Sequence, residues 1–170
     1  MTDIHSLTLA KLVQEAIKYD AGDARRIQHF IKVHDFARQI GICEGLETDD
    51  LFILEVAAIL HDIGIHCAEQ KYGNCSGKHQ EELGPAEAIK LLNTVGGFTQ
   101  KQTERICWLI AHHHTYSNVV NKDHQILLEA DFLVNSFEDN LPPQAIQTFR
   151  DKVFRSPSAI KMLCSMWACS

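Results

Sequence analysis

A chain of 170 residues with 45% hydrophobic and 22% charged side chains has the composition of an ordinary globular domain, long enough to close its own core. A formal net charge of −6 argues against an electrostatic grip on a nucleic-acid backbone, while leaving room for a local basic pocket around one small phosphorylated ligand. No apolar run reads as reaching the roughly eighteen residues that span a bilayer. The stretch MTDIHSLTLAKL lacks the basic-then-apolar pattern of a secretory signal, so a cytoplasmic location without a membrane partner is expected.

Helical periodicity recurs along the chain and no stretch alternates like a strand, so the expected fold is all-α, with about seven or eight helices in one domain over residues 1–170. In SLTLAKLVQEAIKYD, Leu9, Leu12, Val13, Ala16 and Ile17 form one stripe. DARRIQHFIKVHDFARQIG repeats that pattern and is expected to stop at Gly41. ETDDLFILEVAAILHD opens on Thr48 and acidic residues that suit a helix N-terminus. Ile63 to Leu83, with three glycines and little periodicity, reads as a long functional loop. Pro85 is placed at the first position of the next helix, and Thr99 with Gln102 forms a capping box for the one after it. DHQILLEADFLVNSFED, PQAIQTFRDKVF and SAIKMLCSMW complete the helices. Cys43, Cys67, Cys75, Cys107, Cys164 and Cys169 show no C-x-x-C spacing and read as reduced thiols.

The apolar run VAAILHDIGIH poses a chemical question, because His61 and Asp62 are adjacent and cannot both hide in one helix face. LLEADFLV places Asp131 inside another apolar helix. Buried carboxylates are costly unless a cation or hydrogen bonds compensate them, and two of them with histidines nearby point to a metal. In HFIKVHDFA, His29 lies roughly 50 degrees from the centre of the apolar face and His34 roughly 90 degrees, which makes His29 the better inward ligand. His29, His61, Asp62 and Asp131 together offer nitrogen and oxygen donors without thiolate, suiting Mn, Fe, Co, Ni or Mg better than structural zinc.

H-x-x-x-V-x-x-x-A from His29, AAILHDIG around His61-Asp62 and EADFLVN around Asp131 resemble the H…HD…D signature of the HD-domain metal-dependent phosphohydrolases, with a motif core over about 25–138. The resemblance implies a helical HD fold, one divalent ion held by His29, His61, Asp62 and Asp131, and hydrolysis of a phosphate ester in a nucleotide or other small phosphorylated molecule. Where many relatives read HDIGK, this chain has Ile65, and Lys71 is the candidate replacement for that lysine. Relatives with two metals carry further histidines, for which His79 and His113 are the candidates here, although His79 stands one residue farther from Gly84-Pro85 than that pattern has it. AHHHT leaves three roles open for His112, His113 and His114: second-ion ligands, phosphate contacts or a proton relay. Asp62, Lys71 and His113 are the catalytic candidates, and Arg26, Lys71, His112 and His114 the candidates for holding phosphate. Glu81, Glu82 and Glu129 read as surface or supporting carboxylates. A non-catalytic nucleotide-binding sensor and a di-iron oxygenase are the alternative functions.

Overall fold

The structure, a computed structural model, describes residues 4–167. Among them are nine α-helices and no strand: α1 (Ile4–Tyr19), α2 (Ala24–Cys43), α3 (Thr48–Leu60), α4 (Ile65–Tyr72), α5 (Gly77–Val95), α6 (Gln100–Ile110), α7 (Lys122–Glu138), α8 (Pro143–Val153) and α9 (Pro157–Trp167). A helix that is apolar all round has to be surrounded. In α3 every residue from Phe52 to Leu60 is buried, and α1, α2, α6 and α7 pack around it. Its one inward charge, Glu55, accepts a hydrogen bond from His34 Nε2 at 3.0 Å and pairs with Arg38. By length and composition Thr48–Tyr72 would pass as a membrane-crossing helix, contrary to the sequence expectation, but 78% of its most apolar window is buried inside the fold and the helix breaks at residues 61–64.

The long loop expected from Ile63 to Leu83 is instead α4 and the first part of α5. The glycines sit at helix ends: Gly64 precedes α4, Gly73 closes it in the left-handed region at φ +68°, and Gly77 opens α5. Periodicity is faint there because α4 has only eight residues and buries only Ile65 and Ala68. Pro85 lies within α5 rather than at its start, removing one main-chain donor from mid-helix. Gly41 does not end α2, which continues to Cys43. A Cβ at Gly41 would stand 2.7 Å from Leu51 Cδ1, so that glycine serves close packing against α3. The Thr99–Gln102 capping box is present. In α1 the stripe buries Leu12 and Ala16, while Ile17 remains 39% exposed. No disulfide joins the described cysteines, and Cys169 lies outside the described residues.

Two glycines set the approach of α5 to the turns that follow α3 and α6. A Cβ on Gly64 would fall 2.7 Å from the Gln80 carbonyl oxygen and 2.8 Å from the Gly84 nitrogen. One on Gly84 would fall 2.7 Å from Ile110 Cγ2. The turn after α3 therefore lies backbone to backbone on α5, and α5 lies on the end of α6. Gly64 has an ordinary helical φ of −75°, so a larger residue is excluded by space and not by torsion. Gly64→Ala should cost about 1–3 kcal/mol through forced backbone displacement, lowering the melting temperature by roughly 2–12 °C. An unchanged melting temperature would contradict this contact.

Candidate metal centre

The His61-Asp62 pair occupies the turn immediately after α3, and His113-His114 the turn immediately after α6. Carbonyls in the last turn of a helix lack intrahelical donors, and a side chain folding back can supply one. His61 Nδ1–H donates to the Ala58 carbonyl at 2.8 Å, and His113 Nδ1–H donates to the Ile110 carbonyl at 2.7 Å. A carbonyl only accepts, so the proton of each neutral ring is on Nδ1 and its Nε2 is a lone pair. His29 is engaged at the same ring atom, its Nδ1 lying 2.9 Å from Glu138 Oε2.

The lone pairs converge. His29 Nε2 and His61 Nε2 are 3.2 Å apart, Asp131 Oδ1 is 3.2 Å from the first and 3.5 Å from the second, and Asp62 Oδ2 is 3.5 Å from each. Donors bound at about 2.1 Å to a common ion stand about 3.0–3.4 Å apart. Four acceptors facing one point without a donor among them match a divalent cation in both spacing and charge. His29, His61 and Asp131 are buried, whereas Asp62 keeps 26% of its side chain exposed.

Without the ion, protons must take its place. Burial pushes the His61 pKa down, but the carboxylates of Asp62 and Asp131 overcome that and lift it to about 9. Burial likewise opposes the His29 proton, and its hydrogen bond to Asp131 with the nearby carboxylate charges raises its pKa overall. Burial alone would raise Asp62 and Asp131, yet the imidazoles hold both well below the usual carboxylate range.

Asp62 also looks the other way. Its Oδ1 is 3.4 Å from His113 Nε2, so one carboxylate joins two donor clusters, and Asp62, His113 and His114 form the second. The structure places Gln80, and not His79, beside this second cluster. One residue turns a helix by about 100 degrees, and His79 instead stacks on Tyr72 and bonds Asn74. Gln80 Nε2 donates to the Cys75 carbonyl at 2.7 Å, which leaves Oε1 facing His113 Nε2 at 3.3 Å and His114 Nε2 at 3.1 Å. Burial and the neighbouring His113 lower the His114 pKa to about 4, keeping that ring neutral. Gly77 leaves space for the His114 ring, and Glu81 accepts from the His114 main-chain N–H and the Thr115 hydroxyl.

A cleft of about 400 Å³ opens onto Asp62 and His29 and is bordered by Arg25, Arg26, Cys75 and Asn135. Arg26 is held there by Asp23, His66 and Glu69. Lys71 is not on this lining. Its helix turns it outward onto Glu82 at 3.3 Å and over the Tyr72 ring, away from the place expected for a phosphate contact. His112 stacks on Trp108 and donates to the Trp108 carbonyl, apart from both clusters. A larger groove of about 570 Å³ beside Lys101, Trp108 and Lys122 contains none of the clustered donors. Glu129, expected as a surface or supporting carboxylate, is wholly buried, and its Oε1 ties the main chain of Arg155 and Ser156 to α7.

The HD-domain family model matches residues 26–135, which takes in all four residues of the first cluster. The chain belongs to the HD-domain family. No curated protein and no solved structure matches the chain. Within this HD domain, sequence reasoning missed Gln80, Asn135, which donates to Asp131 Oδ1 at 2.8 Å, and Glu138. Amides carry no ligand signature of their own, and Glu138 gains its role only once α7 is known to lie along α2.

The cluster makes stability depend on pH in the metal-free HD domain. His61 binds its proton more tightly folded than unfolded, so that stabilisation is complete below pH 6.5 and is lost as pH rises through about 9. Asp62 and Asp131, with lowered pKa values, stabilise above the ordinary carboxylate value of 3.8 and lose that contribution as pH falls below it. The melting temperature of metal-free protein should therefore fall between pH 6.5 and 9, and saturating Mn(II) should shrink the fall because the ion replaces the proton. A flat or rising metal-free profile over that window would contradict the arrangement.

Proposed function

We propose that this HD domain is a metal-dependent phosphohydrolase acting on a nucleotide or other small phosphorylated molecule in the cytoplasm, with residues 1–170 forming one domain. The observation that carries the reading is the convergence of His29, His61, Asp62 and Asp131, which opens through His29 and Asp62 onto a cleft bordered by two arginines. The donor set suits Mn, Fe, Co, Ni or Mg. A divalent ion bound there supplies acidity to a water and polarises a phosphoryl oxygen.

The chain's own groups do the rest. Asp62, reaching both clusters and the cleft, orients the attacking water, and the proton that water sheds as its oxygen bonds to phosphorus passes to solvent in the cleft. The bond from phosphorus to the ester oxygen breaks, and that oxygen leaves with a proton delivered from solvent in the cleft. Arg26 and Arg25 neutralise the phosphate from the cleft wall. With Lys71 off the cleft lining, the arginines on it take the phosphate role first considered for that lysine.

Asp62, His113, His114 and Gln80 favour a two-ion form of the site, with the Gln80 carbonyl oxygen where His79 was expected. A di-iron oxygenase would use the same donors and is separated by an oxygen-dependent product.

A hydrolysis screen of nucleotides and small phosphate esters, run with Mn, Fe, Co, Ni and Mg separately, should find metal-dependent phosphate release that Asp62→Ala abolishes. Arg26→Ala should raise KM roughly 10–100-fold while leaving metal content unchanged. Phosphate release that is indifferent to metal and to Asp62 would reject the reading.

A further inference from the structure

Asp131, Asn135 and Glu138 are spaced by four and then three residues, so they line one face of α7 over two turns, and that face looks onto α2. The two carboxylates of this ladder address the two nitrogens of a single imidazole. Asp131 Oδ1 is 3.2 Å from His29 Nε2, and Glu138 Oε2 is 2.9 Å from His29 Nδ1. A ring engaged at both nitrogens by one helix has little freedom to rotate.

The two carboxylates compete for one proton. With the proton on Nε2, His29 would donate to Asp131 and present no lone pair to the donor cluster. With the proton on Nδ1, it donates to Glu138 and Nε2 is available as a ligand. The shorter contact is to Glu138. The other oxygen of Glu138 is taken by Lys32 Nζ, and Lys32 lies one helical turn beyond His29 on the same helix. α2 thus presents an imidazole N–H and an ammonium to the two oxygens of one carboxylate, whose side chain is only 12% exposed. Held from both ends, Glu138 stays an acceptor toward His29 and is kept from swinging into the cluster as a ligand itself.

We propose that Glu138 is the positioning residue that commits His29 to its metal-binding tautomer, with Lys32 locking the carboxylate in place. It lies on the cleft wall and acts on the ion through His29. The inference rests on the metal-dependent reading of the site. A carboxylate behind a ligating histidine fixes the ring and raises its basicity, and losing such a partner weakens metal binding roughly 10–100-fold.

The test is the affinity of the full chain for Mn(II) alone, measured by electron paramagnetic resonance titration, with far-UV circular dichroism to verify the fold. Glu138→Ala should weaken Mn(II) binding roughly 10–100-fold. Glu138→Gln, nearly isosteric and still able to accept from Nδ1–H, should fall between it and the wild type. At saturating Mn(II) the turnover of Glu138→Ala should recover toward the wild type, because the missing step is ligand orientation. Glu138→Gln also keeps the test open should the alanine variant fail to fold, since it must then bind more weakly than the wild type while retaining measurable affinity. Wild-type affinity in a folded Glu138→Ala, or Glu138→Gln binding no better than a folded Glu138→Ala, overturns the proposal while leaving the metal reading intact. A wild-type protein that does not bind Mn(II) overturns the metal reading and this inference with it.

Discussion

The hydrogen bond from a histidine Nδ1 to a carbonyl in the last turn of a helix is the contact on which the site depends. It occurs at His61 on Ala58 and again at His113 on Ile110. In each case an otherwise unsatisfied carbonyl receives a donor, and the ring is forced to turn its lone pair into the protein. Helix termination and ligand preparation are therefore the same event. At His29, which lies within α2, a carboxylate does what a carbonyl does at the helix ends.

The rest of the fold brings these prepared rings to one place. α3 is apolar on every side and cannot shift without exposing core, so the turn that follows it is firmly placed. Glycines 64 and 84 let that turn, α5 and the end of α6 approach until a single methyl would collide. Closeness of this kind allows one carboxylate, Asp62, to reach His29 and His61 with one oxygen and His113 with the other. Desolvation opposes such a concentration of acceptors, since burial works against charge on every member. The opposition is offset by a positive charge at the centre, carried by protons or by a metal ion, with Asn135 adding a hydrogen bond to Asp131.

Much of this was legible in the sequence, and the reasons differ by residue. His61, Asp62 and Asp131 stood out because polar groups interrupt runs that otherwise demand burial, and the helical period separated His29 from His34, which bonds Glu55. The stretch from Ile63 to Leu83 reads as a loop because glycine marks both loops and helix ends, and spacing alone does not distinguish them. Only the register of α5 separates Gln80, beside His113, from His79, which stacks on Tyr72. On a loop, Lys71 has the freedom to reach a phosphate. Once α4 forms, its direction is set and it faces Glu82. Glu138 and Glu129 act through partners distant in sequence, so no local pattern announces them; Asn135 bonds Asp131 one helical turn away, but an amide at that spacing carries no ligand signature.

The central claim is that four acceptors converge because they share one cation, and it is open to direct observation. Crystals grown with Mn(II) and measured for anomalous scattering should show a peak enclosed by His29 Nε2, His61 Nε2, Asp62 Oδ2 and Asp131 Oδ1, at roughly 2.0–2.4 Å from each. A map with no peak there, or with manganese bound elsewhere while these four side chains hold their positions around protons, would contradict it.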